Sequence, residues 1–224
     1  MLRKYTLLKI LFLFLFFFLT ICFQNRLEAN TIMDIPGLFN TGVDEFGNPG
    51  PVSDLGIDIY ELHYQLTGTY DTLVIKGKIE WVSPGGVANW IAPTGPHTSD
   101  ASGDYIYELI FDLNGLDPGT AEIKGEWATD YNSEIYLNGN PTGNILDDPN
   151  HSYKILHDFY INSGFMPGIN TMQFIAHHTD SSLPTALMVQ NLKGKANAVP
   201  EPATILLFLS SLVALAIVKR KLKS

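Results

Sequence analysis

The 224-residue chain has one cysteine, Cys22, and it lies in an apolar run near the N-terminus. Everything after that run therefore excludes a disulfide scaffold, a thiol nucleophile and a cysteine-ligated zinc centre. Arginine is also scarce. Between Asn30 and Val199 there is none, and six lysines face 21 acidic residues, a net charge of −15. Phosphates and anionic headgroups are held by Lys and Arg, so this balance argues against nucleic acid or anionic lipid as partners. It is compatible with calcium binding and with solubility at a cell surface. No useful length of amphipathic helix and no fixed-period repeat occurs in this region, which excludes helical bundles, propellers and solenoids. HExxH, GxSxG, phosphate-loop and dinucleotide fingerprints are missing too. His177 and His178 are adjacent on a strand pattern and point to opposite faces, so they do not make a two-ligand metal site.

What the chain does have is basic charge segregated at its two ends. Arg3, Lys4 and Lys9 precede an almost unbroken Leu/Phe/Ile run over 10–23, the layout of a secretory signal, with a cleavage site for signal peptidase after Ala29. The other end carries Pro200, Glu201 and Pro202, then an apolar segment over 203–218, then Lys219-Arg220-Lys221-Leu222-Lys223. As a helix the apolar segment spans about 24 Å, somewhat short of a hydrocarbon core. Flanking lysines cover such a mismatch and favour the cytoplasmic side. The order triad, short membrane helix, basic cluster resembles the PEP-CTERM sorting signal. That resemblance implies export through the inner membrane, cleavage at Pro200-Glu201-Pro202 by exosortase, and a final place at the cell surface or outside it.

Between the ends, short apolar/polar alternations are separated by Gly, Asn, Asp and Pro clusters. Residues 30–58 are turn-rich and read as a leading loop, part of which covers a sheet edge. About nine strands are expected, at 60–66, 72–82, 88–92, 104–113, 120–128, 133–137, 153–161, 171–178 and 185–192. Asn138-Gly139 marks a hairpin. The fold expected is all-β, an antiparallel β-sandwich, flanked by an N-terminal signal helix and a C-terminal transmembrane helix. Its boundaries are 1–29 signal peptide, 30–58 loop, 59–196 sandwich, 197–202 linker, 203–218 membrane helix and 219–224 basic tail.

A second resemblance rests on Asn89-Trp90-Ile91-Ala92-Pro93, Gly125-Glu126-Trp127-Ala128-Thr129-Asp130-Tyr131-Asn132, Tyr136-Leu137-Asn138-Gly139 and Gly168-Ile169-Asn170-Thr171. Over 40–195 these motifs resemble galactose-binding-like jelly rolls of secreted bacterial proteins. The resemblance speaks for a fold more than a ligand.

A sugar site needs an aromatic face and groups that bond hydroxyls. Trp81 and Trp127 belong to alternating strands and read as core. Trp90 lies beside a Gly-Gly turn, where a loop-borne ring can be exposed. Asp130, Tyr131 and Asn132 form a turn on the sandwich rim, and Asn138 and Asn140 form the next; together with Trp90 they are the candidate saccharide contacts. Asp147 and Asp148, and the loop from Asp112 to Asp117, are the oxygen-rich loops suited to a structural Ca²⁺. No other cofactor is expected. The function these features point to is an exported, non-catalytic module associated with extracellular polysaccharide or biofilm matrix. A purely structural surface protein is the alternative, and a glycan-active enzyme, with a pair such as Glu126 and Asp130, a more distant one.

Overall fold

Alternation of apolar and polar side chains extends most of this chain into strands. The computed structural model describes residues 31–50, 59–60, 63–67, 73–75, 77–93, 99–148 and 152–199. Among them are twelve strands: β1 Ile32–Asp34, β2 Ile59–Tyr60, β3 Tyr64–Leu66, β4 Leu73–Ile75, β5 Trp90–Ala92, β6 Gly103–Asp112, β7 Glu122–Thr129, β8 Ser133–Leu137, β9 Asn140–Leu146, β10 His157–Ile161, β11 Ile169–His178 and β12 Leu187–Asn197. They form two antiparallel sheets. One has the order β10-β7-β12-β5-β4-β2, with β1 also on β12; the other has the order β3-β6-β11-β8-β9.

The inner faces of the two sheets enclose the main core, which contains Trp127, Phe159, Tyr107, Phe111, Met172 and Phe174. Trp127 packs on Phe159 and Phe174 at centroid distances of 6.5 and 5.7 Å. The inward position expected for it is the one it takes. A second cluster covers the other side of the larger sheet, where Trp90, Ala92, Ala128 and Met188 pack with Ile75, Ala88 and Ala186 under Trp81, Tyr153 and Leu156. Strand alternation sends Trp127 and Val189 to the first core and their neighbours Ala128 and Met188 to the second. Part of this sheet is therefore buried on both faces.

The all-β antiparallel architecture agrees with the sequence reading, but several details differ. The expected 60–66 strand is divided between the sheets, β2 pairing with β4 and β3 with β6. The expected 72–82 strand stops at Ile75, the chain turns so that Trp81 N–H donates to the Lys78 carbonyl at 2.9 Å, and Ile79 is fully exposed. Gly77 permits this turn to approach the core: a Cβ there would lie 2.6 Å from Trp90 Cδ1. Strand β9 was not expected at all, because Asn140-Pro141-Thr142-Gly143-Asn144 reads as turn.

The leading loop is more than a cover. Ile35 N–H donates to the Gly194 carbonyl at 3.0 Å, after β1 has paired with the end of β12. β12 and β5 pair at Leu187–Ile91, and Thr41 bridges the gap beyond. Its N–H donates to Val189 O at 3.0 Å and its carbonyl accepts from Asn89 N–H at 2.8 Å. Its hydroxyl donates to Asn89 O at 2.6 Å and accepts from Val189 N–H at 3.0 Å. Residues 1–30 and 200–224, which carry the expected signal and tail, lie outside the described residues. No helix among the described residues is long and apolar enough to cross a membrane.

Candidate functional site

The residues expected to bind sugar are not gathered at one place. Trp90 is fully buried in the second core, its indole N–H donating to Val82 O at 3.0 Å and its ring 4.5 Å from that of Trp81. No face is left for a saccharide. Asp130 is 6% exposed, and its Oδ1 accepts from the Ala186 N–H at 3.0 Å and the Thr185 hydroxyl at 3.1 Å. Burial pushes its carboxyl up to about 7, against the lowering effect of those two donors. Tyr131 is also buried and meets the His178 ring edge-on at 4.6 Å. Asn132 is exposed, with its carbonyl accepting from His177 N–H at 2.8 Å.

Asn138 lies at the other end of β8, about 17 Å of strand away. It has the left-handed backbone expected of the hairpin, with φ 51°. Its amide is committed inside the protein: Nδ2 donates to Gly164 O and to Asn170 Oδ1, and Oδ1 accepts from Thr171 N–H. Asp112 and Asp117 each cap a local turn, accepting from Asn114 N–H at 2.8 Å and Gly119 N–H at 2.9 Å. Asp147 and Asp148 are exposed, and the carbonyl of Asp148 holds both the N–H and the hydroxyl of Ser152. Among the described residues no three His, Cys, Asp or Glu side chains converge as a metal-holding group. His177 and His178 face opposite ways as expected, the first bonded to Asp104 at 2.8 Å and the second buried.

A site that the sequence does not announce lies at the side of the sandwich. β10 and β9 are edge strands of opposite sheets and run close together. Asn144 ties them, since its Oδ1 accepts from Tyr160 N–H at 3.3 Å and its Nδ2 donates to Tyr160 O at 3.2 Å. Away from this tie the edges enclose a cleft of about 440 Å³, lined by Trp127, Gly143, Asn144, Ile145, Leu146, Leu156, His157 and Asp158. Such a volume is in the range of small-ligand sites.

Strand alternation assigns the lining its chemistry. His157 has the parity of Phe159 and Ile161, so its ring enters the mouth of the core opposite Trp127, its cross-strand partner. Its Nε2 is buried and has no hydrogen-bond partner. Asp158 has the opposite parity and supplies an exposed carboxylate on the rim. Leu146 and Leu156 pack into the two cores, Ile145 is 63% exposed, and the surface the cleft presents is mostly polar. Such a lining offers hydrogen-bonding groups to a small polar ligand. The Asn138-Gly139 hairpin was the available signal, because a two-residue turn obliges a returning strand right after it. A proline near the start of that strand is tolerated at an edge.

No protein-family model matches the chain, and no curated protein matches it. Among solved structures the chain is similar to a family 35 carbohydrate-binding module from Paenibacillus barcinonensis, with 18% identity, 57% of this chain and 92% of that one covered, and a TM-score of 0.32. It is similar to a native family 35 module from Clostridium thermocellum, with 13% identity, coverage of 58% and 90%, and a TM-score of 0.35. A family 36 module of a multidomain xylanase from the Trinervitermes trinervoides hindgut metagenome has 8% identity, coverage of 77% and 99%, and a TM-score of 0.32. Likeness at such scores decides nothing about a ligand.

Proposed function

We propose that the chain is an exported, non-catalytic β-sandwich that binds a neutral saccharide in the side cleft between β9 and β10. One observation carries this reading: the cleft presents a mostly polar surface, with the Asp158 carboxylate on its rim, the Asn144 amide at one end and the exposed Ile145 side chain beside them. Carboxylate and amide groups bond sugar hydroxyls, and an exposed aliphatic side chain meets the C–H face of the ring. The Asp158 carboxylate accepts hydroxyl hydrogens, while Ile145 meets the C–H face of a ring. The acidic rim and the arginine-free body disfavour uronates and other anionic sugars. A binding role is favoured over glycoside hydrolysis because the cleft is lined by a single carboxylate, whereas acid/base cleavage uses two.

Delivery follows from the two ends. The N-terminal charge-then-apolar segment supports export, and the Pro200-Glu201-Pro202 tail supports sorting by exosortase to the cell surface or matrix. An exported, cysteine-free, acidic sandwich suits association with extracellular polysaccharide.

Titration of the 30–199 form with neutral and anionic polysaccharides tests the binding. Neutral glycans bind, and Asp158→Asn and Ile145→Ser each weaken binding at least tenfold with an unchanged far-UV spectrum. Silence on every glycan favours a purely structural surface protein instead. Weighing the mature protein from strains with and without exosortase tests the sorting; retention of residues 203–224 in both sinks it.

A further inference from the structure

At the end of the sandwich that carries the β7–β8 arch, three loops meet around buried polar side chains. Asp100, from the segment before β6, accepts Thr185 N–H on Oδ2 at 2.8 Å and donates its own N–H to Leu183 O at 3.0 Å. Asp130, from the arch, holds Thr185 and Ala186 through Oδ1. The two aspartates thereby bind the 183–186 stretch that leads into β12. His178, the last residue of β11, lies between them. Its Nε2 is 3.2 Å from the carbonyl oxygen of Asp100, and its Nδ1 is 3.8 Å from Oδ2 of Asp130.

We propose that Asp130 and His178 hold one proton between them and act as a proton-operated latch on these loops. A carbonyl oxygen only accepts, so Nε2 carries a hydrogen and Nδ1 of the neutral ring presents a lone pair. Oδ2 of Asp130 faces that lone pair, and both atoms are buried without another partner. Two lone pairs in a dry site repel. One proton, on either atom, turns the repulsion into attraction, and its loss leaves a bare carboxylate in the interior.

The groups that the structure shows around the pair are acidic or neutral, so none of them supplies a compensating positive charge. Asp100 adds negative charge from the segment before β6, and Asp180 adds more from the β11–β12 loop. β6 contributes the phenols of Tyr105 and Tyr107, and the arch contributes Tyr131. The Tyr107 phenol is pushed well up, first by burial and then by the charges of Asp130 and Asp100, so it stays neutral. Burial likewise raises the Asp130 carboxyl to about 7.

The sign follows from proton counts. In the unfolded chain the carboxyl titrates near about 4 and the imidazole near about 6.5, so between them the two groups carry one proton, as in the fold. Stability is level there. Above about 6.5 the unfolded chain gives up its proton while the fold retains one to about 7, so stability falls as pH rises and the loops loosen.

Unfolding midpoints of the full chain in detergent between pH 4 and 8.5, with amide exchange at Thr185 and Ala186, test the latch. The wild type is level and then falls, and its two amides lose protection above pH 7. Asp130→Asn leaves no carboxyl to retain the proton, so the fall above about 6.5 is absent from its profile. His178→Gln leaves a lone buried carboxyl, so its unfolding constant climbs up to about tenfold per unit between about 4 and 7. The double variant shows neither slope. Parallel profiles for wild type and both single variants overturn the proposal. If one variant does not fold, unchanged protection of the two wild-type amides from pH 6 to 8.5 overturns it equally.

Discussion

The side chain of Asn144 satisfies both backbone groups of Tyr160, accepting its N–H at 3.3 Å and donating to its carbonyl at 3.2 Å. One amide thus performs the pairing that a neighbouring strand would perform, and it joins the edges of two different sheets. It also closes one end of the cleft. Asn144→Ala removes both bonds at a cost of about 1–2 kcal/mol, since each is worth about 1. Urea denaturation is expected to show that loss, and saccharide titration a weakening of at least tenfold. Unchanged stability would mean that the edges are held by other contacts.

Trp90 provides a second test, because its two readings separate cleanly. In the second core, Trp90→Ala costs about 3–5 kcal/mol, the range for a fully buried large aromatic. Trp90→Phe retains part of the packing but leaves Val82 O without the indole donor, and costs less. Neither is expected to alter the saccharide dissociation constant of the folded fraction. A selective loss of binding without loss of stability would return Trp90 to the role that the sequence allowed it.

Thr41 uses its hydroxyl twice in a fully buried position, toward Asn89 O and from Val189 N–H. Thr41→Val preserves shape and deletes both bonds, leaving buried backbone groups unpaired. The expected cost is about 1–3 kcal/mol by thermal or urea unfolding. Thr41→Ser keeps the hydroxyl and loses one methyl, about 0.8 kcal/mol. Equal effects from the two would show that packing, not the hydroxyl, is what the position supplies.

Asn138 separates backbone from side chain. Its φ of 51° suits Asn or Gly, and its amide supports Asn170, which is fully buried. Asn138→Gly keeps the turn and loses the bonds, about 1–3 kcal/mol. Asn138→Ala adds about 1–2 kcal/mol for the left-handed conformation. The order Asn, Gly, Ala in stability, with glycan binding unchanged, is expected. A drop in glycan binding at constant stability would contradict the structural role.

Part of the site was legible. The inward position of Trp127 and the opposed faces of His177 and His178 follow from a period of two, which is a local property of any strand. Ile79 shows the limit of that rule: its alternation with Ile75 held in sequence, but the chain turned at Lys78 and left it in solvent. The candidate sugar residues failed for a related reason. Trp90, Asp130 and Asn138 are flanked by turn residues, which read as exposed, whereas the fold commits Trp90 to the 77–82 turn, Asp130 to Thr185 and Ala186, and Asn138 to Gly164 and Asn170.

The amino-acid sequence by itself determined an all-β body with an acidic, arginine-free and cysteine-free composition between two basic, apolar ends. Composition and periodicity suffice for that, because they need only neighbouring residues. Only the tertiary structure decided that part of the larger sheet is buried on both faces and that Thr41 enters it from the leading loop. It alone placed Asn144 and His157 on facing edges of different sheets. Those outcomes depend on which strands become neighbours, and pairing across more than a hundred residues leaves no periodic trace in the chain.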